Sequence, residues 1–231
     1  MGDLHRLIAF DLDGTLVDSR RDLADSANEL ITELGGSPLP EEAIARMVGE
    51  GAAVLVRRAL TAAGVTDERE ALRRFLEIYD TRLLRHTRVY AGMEEAVRFA
   101  RTLGRVAVLT NKPLGPSERI LSGLGVRDLF DAVVGGDGPM PRKPDPSSLN
   151  ALIHEAGAAA ATSLLVGDST IDLETAVRAG VRCCIVSFGF GDETFPHHRL
   201  RPEDSLVSDA GALRDVLVAF GRGGQRLNGS S

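Results

Sequence analysis

Short, wholly apolar runs recur along this chain, each followed by a helical pattern, and that alternation restricts the fold more than any other feature. Leu7-Ile8-Ala9-Phe10, Val106-Ala107-Val108-Leu109, Ala132-Val133-Val134, Leu164-Leu165-Val166 and Cys183-Cys184-Ile185-Val186 contain no charged or strongly polar residue. A strand with one wet face would alternate; runs apolar on both sides suit strands of a parallel sheet covered on both faces. Between and after these runs, apolar residues return at helical spacing up to Leu103, around Ile120 and Leu121, around Leu149 to Ile153, from Ile171, and from Leu213 to Phe220. Regular alternation of the two periods predicts βαβ units with right-handed crossovers, hence an α/β fold with a doubly wound, Rossmann-like parallel sheet.

One long stretch breaks the alternation. Leu23, Ala27, Leu30, Ile31 and Leu34 recur at helical spacing until Gly35-Gly36-Ser37-Pro38 stops the pattern, and two more helical patterns follow. One carries Val54, Leu55, Ala59 and Leu60; the other carries Leu72, Phe75, Leu76, Tyr79 and Leu83. Residues 16–90 therefore read as an inserted all-helical domain, and residues 1–15 with 91–231 as the α/β core domain. The tail from Gly221 to Ser231 reads as a frayed end.

Bulk properties exclude several functional classes. A net charge of −6, with pairs such as Arg73-Arg74 set among acidic residues, argues against binding nucleic acid, which needs concentrated Lys and Arg. At 231 residues, 43% of them hydrophobic, the chain can bury a substantial core, yet no apolar run reaches membrane-spanning length, so no membrane association is expected. Two cysteines, Cys183 and Cys184, are adjacent and cannot form an unstrained bridge. A cytoplasmic protein is the expectation. The sequence carries no signal of oligomeric state.

Chemistry-bearing residues cluster where the predicted strands end, which is where open parallel sheets bind ligands. In Asp11-Leu12-Asp13-Gly14-Thr15, two carboxylates two residues apart face the same side of an extended chain and could hold Mg²⁺. Gly14 would permit a sharp turn, and the Thr15 hydroxyl would fix the second carboxylate. Thr110-Asn111-Lys112 follows a strand and opens a helix; taken alone it fits helix capping as well as phosphate binding. Lys143, in Arg142-Lys143-Pro144-Asp145-Pro146, taken alone reads as a solvated surface charge. Gly167-Asp168-Ser169-Thr170-Ile171-Asp172 brings a third carboxylate to a third strand end, as a metal site shared with Asp11 and Asp13 requires.

Together, Asp11-Leu12-Asp13-Gly14-Thr15, Thr110-Asn111, Lys143-Pro144 and Gly167-Asp168-Ser169 with Asp172 resemble the four ordered motifs of the haloacid dehalogenase superfamily. The likeness spans the chain up to its final helix, and the helical insertion resembles the cap of the superfamily's subfamily I. Within that group the chain is most similar to bacterial phosphoglycolate phosphatases, through Asp13 to Ser19, Met47-Val48-Gly49-Glu50-Gly51, Thr110-Asn111-Lys112-Pro113 and Gly135-Gly136-Asp137.

The resemblance implies a Mg²⁺-dependent phosphatase acting on a small phosphate ester. In it Asp11 is the nucleophile, Asp13 the general acid and base, and Lys143 the cation that offsets charge between carboxylate and phosphate. Asp11, the main-chain carbonyl of Asp13, and Asp168 would hold the metal; Thr110 and Asn111 would bind phosphate; Ser169 and Asp172 would support, Asp172 by orienting Lys143 or a metal-bound water. Gly49 and Glu50, in a loop whose flanking glycine Gly51 allows close approach, are the candidates for the cap loop over the substrate. Asp13 argues against a dehalogenase, Arg20 against a mutase, and the lack of any Lys between Leu16 and Leu109 against a phosphonate-cleaving relative. 2-Phosphoglycolate is the favoured substrate; sugar phosphates, nucleotides and pyrophosphate are alternatives.

Overall fold

The computed structural model describes residues 5–66, 70–190 and 195–223. Its centre is a parallel sheet built from β1 (Leu7–Phe10), β4 (Arg105–Leu109), β5 (Ala132–Val134), β6 (Ser163–Gly167), β7 (Arg182–Val186) and β8 (Ser205–Val207), in the order β5-β4-β1-β6-β7-β8. From β1 the chain moves outward through β4 and β5, then returns to the other side of β1 for β6, β7 and β8. The reversal lies at β1, so the carboxyl ends of β1, β4 and β6 border the crevice where such sheets take ligands.

Helices cover both faces. Ile8 and Phe10 of β1 pack into the larger apolar cluster with α5 (Met93–Arg101), α6 (Leu114–Gly123) and α9 (Ala210–Gly223). Leu7 and Ala9 point the other way, into a second cluster with α7 (Ser147–Glu155) and α8 (Thr170–Ala179). This period-2 division within a wholly apolar strand is the physical reason for the uninterrupted runs: each face needs its own hydrophobic set.

Between β1 and β4, a two-stranded antiparallel ribbon of β2 (Val17–Asp18) and β3 (Arg88–Val89) brackets α1 (Arg20–Glu33), α2 (Glu41–Ala45), α3 (Ala52–Ala62) and α4 (Ala71–Asp80). Of the predicted periodic residues, Leu23, Ala27, Leu30, Ile31, Leu55, Ala59, Leu60, Phe75, Tyr79 and Leu83 are buried there, in one continuous cluster with Ile8 and Phe10, whereas Leu34, Val54 and Leu76 are half-buried and Leu72 is exposed at the surface. Asp22 ties the end of this segment to its beginning, accepting bonds from the backbone N–H of His86 and from both the N–H and hydroxyl of Thr87.

Four elements escape sequence reading: α2, β8, and the two-residue strands β2 and β3, which place a short ribbon at the ends of the stretch read as all-helical. The short α2 offers too few residues to show a period, and β8 is a three-residue edge strand whose Leu206 is 40% exposed. The predicted frayed tail is partly corrected: α9 runs through Gly223, and the rest lies outside the described residues. Among the described residues, no helix is long and apolar enough to cross a membrane.

Candidate active site

Asp11 begins the loop after β1, and its backbone N–H still bonds to Val166 of β6, so its position is set by the sheet itself. Its side chain is 10% exposed. Oδ1 accepts from the backbone N–H of Leu12 at 2.7 Å and lies 2.9 Å from Lys143 Nζ; among the described residues these are its partners, and both fall on Oδ1. Burial pushes the Asp11 carboxyl up to about 6, against the opposing pull of Lys143.

Lys143 comes from the loop before α7 and is buried, contrary to its appearance as a surface charge in isolation. Its ammonium reaches Asp172 Oδ1 at 2.7 Å as well as Asp11. Burial alone would favour the neutral amine, but the two carboxylates outweigh it and hold Lys143 protonated. Asp172 is positioned by helix chemistry. It is the third residue of α8, and its Oδ2 accepts from the N–H and hydroxyl of the N-cap Ser169, at 3.1 and 2.6 Å, in a capping box. Ser169 and Asp172 thus cap a helix and anchor a lysine with the same carboxylate.

Asp168 follows β6. Its Oδ2 accepts from the backbone N–H of Phe190 at 2.8 Å, and Thr15 Oγ1 approaches Oδ1 at 3.4 Å. Burial, then the neighbouring charges of Asp172 and Asp11, hold the Asp168 carboxyl well above the usual carboxylate range. Carboxylate oxygens of Asp11, Asp168 and Asp172 lie within 4.8 Å of one another. So crowded a set of buried hard-oxygen donors suits a divalent cation of the Mg²⁺ type. The fit is best for Asp11 and Asp168, which line the active-site cavity, whereas Asp172 lies outside its lining and already pairs with the Lys143 ammonium. Gly14 is required for this packing: at φ +82° it turns the chain, and a Cβ there would stand 2.1 Å from Asp168 Oδ2.

One expectation is corrected. The Thr15 hydroxyl reaches the third carboxylate, Asp168, and not the second, because the turn at Gly14 carries Thr15 away from Asp13. Asp13 is held instead by Ser19 Oγ at 2.5 Å and by Lys112 Nζ, 2.8 Å from Oδ2 and 3.1 Å from Oδ1. Lys112 was visible as the residue after Thr110-Asn111, but its role depends on a contact no local pattern encodes. Its ammonium also lies 4.6 Å from the ring centroid of Tyr79, on α4.

Thr110 and Asn111 stand at the end of β4, both buried. Thr110 Oγ1 accepts from the N–H of Lys112 at 3.2 Å. Asn111 Nδ2 donates to the carbonyls of Gly49, at 2.8 Å, and Lys143, at 2.9 Å, so its amide protons link the 49–51 loop to the lysine loop. That loop lies directly on the sheet end. Gly49 and Gly51 have φ of +123° and +93°, and Cβ atoms there would meet Ile171 at 3.3 Å and Arg142 at 3.1 Å. Glu50 is exposed and pairs with Arg58. The loop borders a cavity of about 400 Å³, lined by the polar Asp11, Asp13, Thr110, Lys112 and Asp168 and by Leu23, Leu55, Phe75 and Tyr79. Lys143 and Asp172 sit behind Asp11, outside its lining.

Residues 8–186 match the family model of haloacid dehalogenase-like hydrolases. The phosphoglycolate phosphatase of Rhodospirillum rubrum is 42% identical over 236 residues, covering 96% of this chain and 95% of the relative. That of a Cereibacter sphaeroides strain is 41% identical over 218 residues, covering 91% and 96%. The crystal structure of a predicted phosphoglycolate phosphatase from Haemophilus somnus superposes with a TM-score of 0.84 at 28% identity, covering 93% of this chain and 99% of that one. With carboxylates at the ends of β1 and β6, a buried lysine paired with the first of them, and a match across most of its length, the chain belongs to the haloacid dehalogenase-like hydrolases.

Proposed function

We propose that this chain is a Mg²⁺-dependent phosphatase of small phosphomonoesters, with 2-phosphoglycolate as favoured substrate and Asp11 as covalent nucleophile. One observation carries the proposal: Asp11 turns Oδ1 to Lys143 while Oδ2 has no partner among the described residues, at the floor of a cavity that Asp13 also lines. The names of the relatives support the phosphatase and the favoured substrate.

Asp11 and Asp168, with the main-chain carbonyl of Asp13, would hold the metal. When bound, the ion offsets the negative charge that a carboxylate and a phosphate bring together. Asp11 Oδ2 attacks phosphorus as the bond to the ester oxygen breaks, giving an aspartyl-phosphate. Asp13 gives its proton to the departing alkoxide, then takes one from the water that hydrolyses the intermediate, a role worth about 10²–10⁴-fold. Lys143 fixes the Asp11 rotamer and supplies permanent positive charge behind it. Thr110 and the adjoining backbone at the start of α6 face the transferred phosphoryl group, and Asn111 joins the roof to the floor.

Residues 16–90 act as a cap over the core formed by 1–15 and 91–231, pivoting at the β2/β3 ribbon. Gly49 and Glu50 lie in the loop that closes the site. Buried free thiols at Cys183 and Cys184 suit a reducing cytoplasm.

The test is a hydrolysis screen with Mg²⁺ over 2-phosphoglycolate, sugar phosphates, nucleoside monophosphates and pyrophosphate, repeated with Asp11→Asn. The expected result is highest kcat/KM on 2-phosphoglycolate and loss of turnover in the variant. Full activity of Asp11→Asn would reject the nucleophile, and a different best substrate would reject the favoured one.

A further inference from the structure

Tyr79 is an apolar-patterned residue of α4 with a feature that core packing does not explain. It is 3% exposed, lines the same cavity as the carboxylates, and its hydroxyl has no hydrogen-bond partner among the described residues. A buried hydroxyl without a partner is destabilising, and phenylalanine would fill the same space. Lys112 Nζ sits over the ring and makes no well-aligned hydrogen bond with the oxygen. Two donors, one ammonium and one O–H, therefore converge beside the general acid, and only the ammonium has an anionic partner.

We propose that Lys112 Nζ and Tyr79 Oη form the subsite for a carboxylate carried by the substrate's leaving group, selecting esters in which carboxylate and phosphate sit on the same carbon. The inference rests on the phosphatase function proposed above. Distance selects the class. Asp13 must touch the ester oxygen to protonate it, and Lys112 is hydrogen-bonded to that same carboxylate, 2.8 Å away. Lys112 Nζ is thus about two hydrogen bonds, each about 2.8 Å, from the ester oxygen along a bent path, and an anion held on it is one further such bond along. A carboxylate one carbon from the ester oxygen spans that gap, whereas a longer acid carries its charge past the ammonium. Leu23, Leu55 and Phe75, which also line the cavity, are apolar and offer an anion no partner.

The experiment compares kcat/KM for 2-phosphoglycolate, its one-methylene homologue 3-phosphonooxypropanoate, and ethyl phosphate, in wild type, Tyr79→Phe, Lys112→Gln and Arg46→Ala with Mg²⁺. Arg46 and Arg58 also line the cavity; Arg58 is paired with Glu50, which leaves Arg46 as the rival cation tested. The wild type should prefer 2-phosphoglycolate to both others by at least tenfold. Tyr79→Phe should reduce the 2-phosphoglycolate to ethyl phosphate ratio about tenfold while raising the melting temperature, because it removes an unpartnered polar group. Lys112→Gln should reduce that ratio further than Tyr79→Phe. An unchanged ratio in Tyr79→Phe, equal loss on all substrates in Lys112→Gln, or collapse of the ratio in Arg46→Ala alone would overturn the subsite. If wild type hydrolyses all three esters equally, the subsite fails and the phosphatase stands. If it hydrolyses none, both fail.

Discussion

Lys143 Nζ stands 2.9 Å from Asp11 Oδ1, although the two residues belong to loops on different strands of the sheet edge. The same ammonium holds Asp172, so a single positive charge compensates two buried carboxylates. Lys143→Met should leave both uncompensated, lowering stability by about 3–5 kcal/mol in denaturant titration. Turnover with Mg²⁺ should fall by about a thousandfold, as for loss of a charge-stabilising donor. Unchanged denaturation would mean that the lysine is not paired in solution.

Asp11 makes the metal-free protein sensitive to pH in a defined direction. Its carboxyl is raised from 3.8 to about 6 by burial, so the folded state holds this proton more tightly than the unfolded chain. The associated stability is fully present below pH 4 and is lost as pH rises through about 6, a change of roughly 3 kcal/mol. Asp11→Asn, which cannot ionise, should therefore melt above wild type at pH 8 in the presence of a chelator, with the gap closing toward pH 4. Adding Mg²⁺ should narrow the gap at pH 8, because the cation favours the ionised carboxylate of wild type.

Gly14 and Gly64 separate crowding from backbone strain. Both have positive φ, but a Cβ at Gly14 would stand 2.1 Å from Asp168 Oδ2, whereas at Gly64 it would meet nothing within 4 Å. Gly64→Ala should cost about 1 kcal/mol and leave activity intact. Gly14→Ala should displace Asp168 and raise the Mg²⁺ concentration for half-maximal activity by at least tenfold.

Asn111 joins the 49–51 loop to the lysine loop through two amide bonds. Its orientation follows from its partners: both are carbonyls, which need the NH₂ and reject the amide oxygen. Asn111→Ala should release the 49–51 loop, seen as faster hydrogen exchange there, and lower kcat/KM by about ten- to a hundredfold. Unchanged exchange at 49–51 would show that the loop is held by other contacts.

What the sequence determined by itself was the class of fold and the residues available for chemistry. Wholly apolar runs specify strands buried on both faces; Asp11 and Thr110 directly follow two of them and Asp168 stands one residue beyond a third, so their place at the carboxyl edge could be read from order alone. The helices of 19–86 were legible because their buried residues repeat at helical spacing. Ser205–Val207 was not, since an edge strand of three residues buries too little to leave a pattern. Tertiary structure alone decided the pairings. Lys143 reads as a surface charge until the loop before α7 folds under Asp11; Thr15 reaches Asp168 and not Asp13 once Gly14 turns the chain; Lys112 meets both Asp13 and a tyrosine from the helical insertion. Periodicity encodes which side of an element is buried, a local property. Which charge faces which depends on loops from distant parts of the chain converging at one sheet edge, and no local pattern records that convergence.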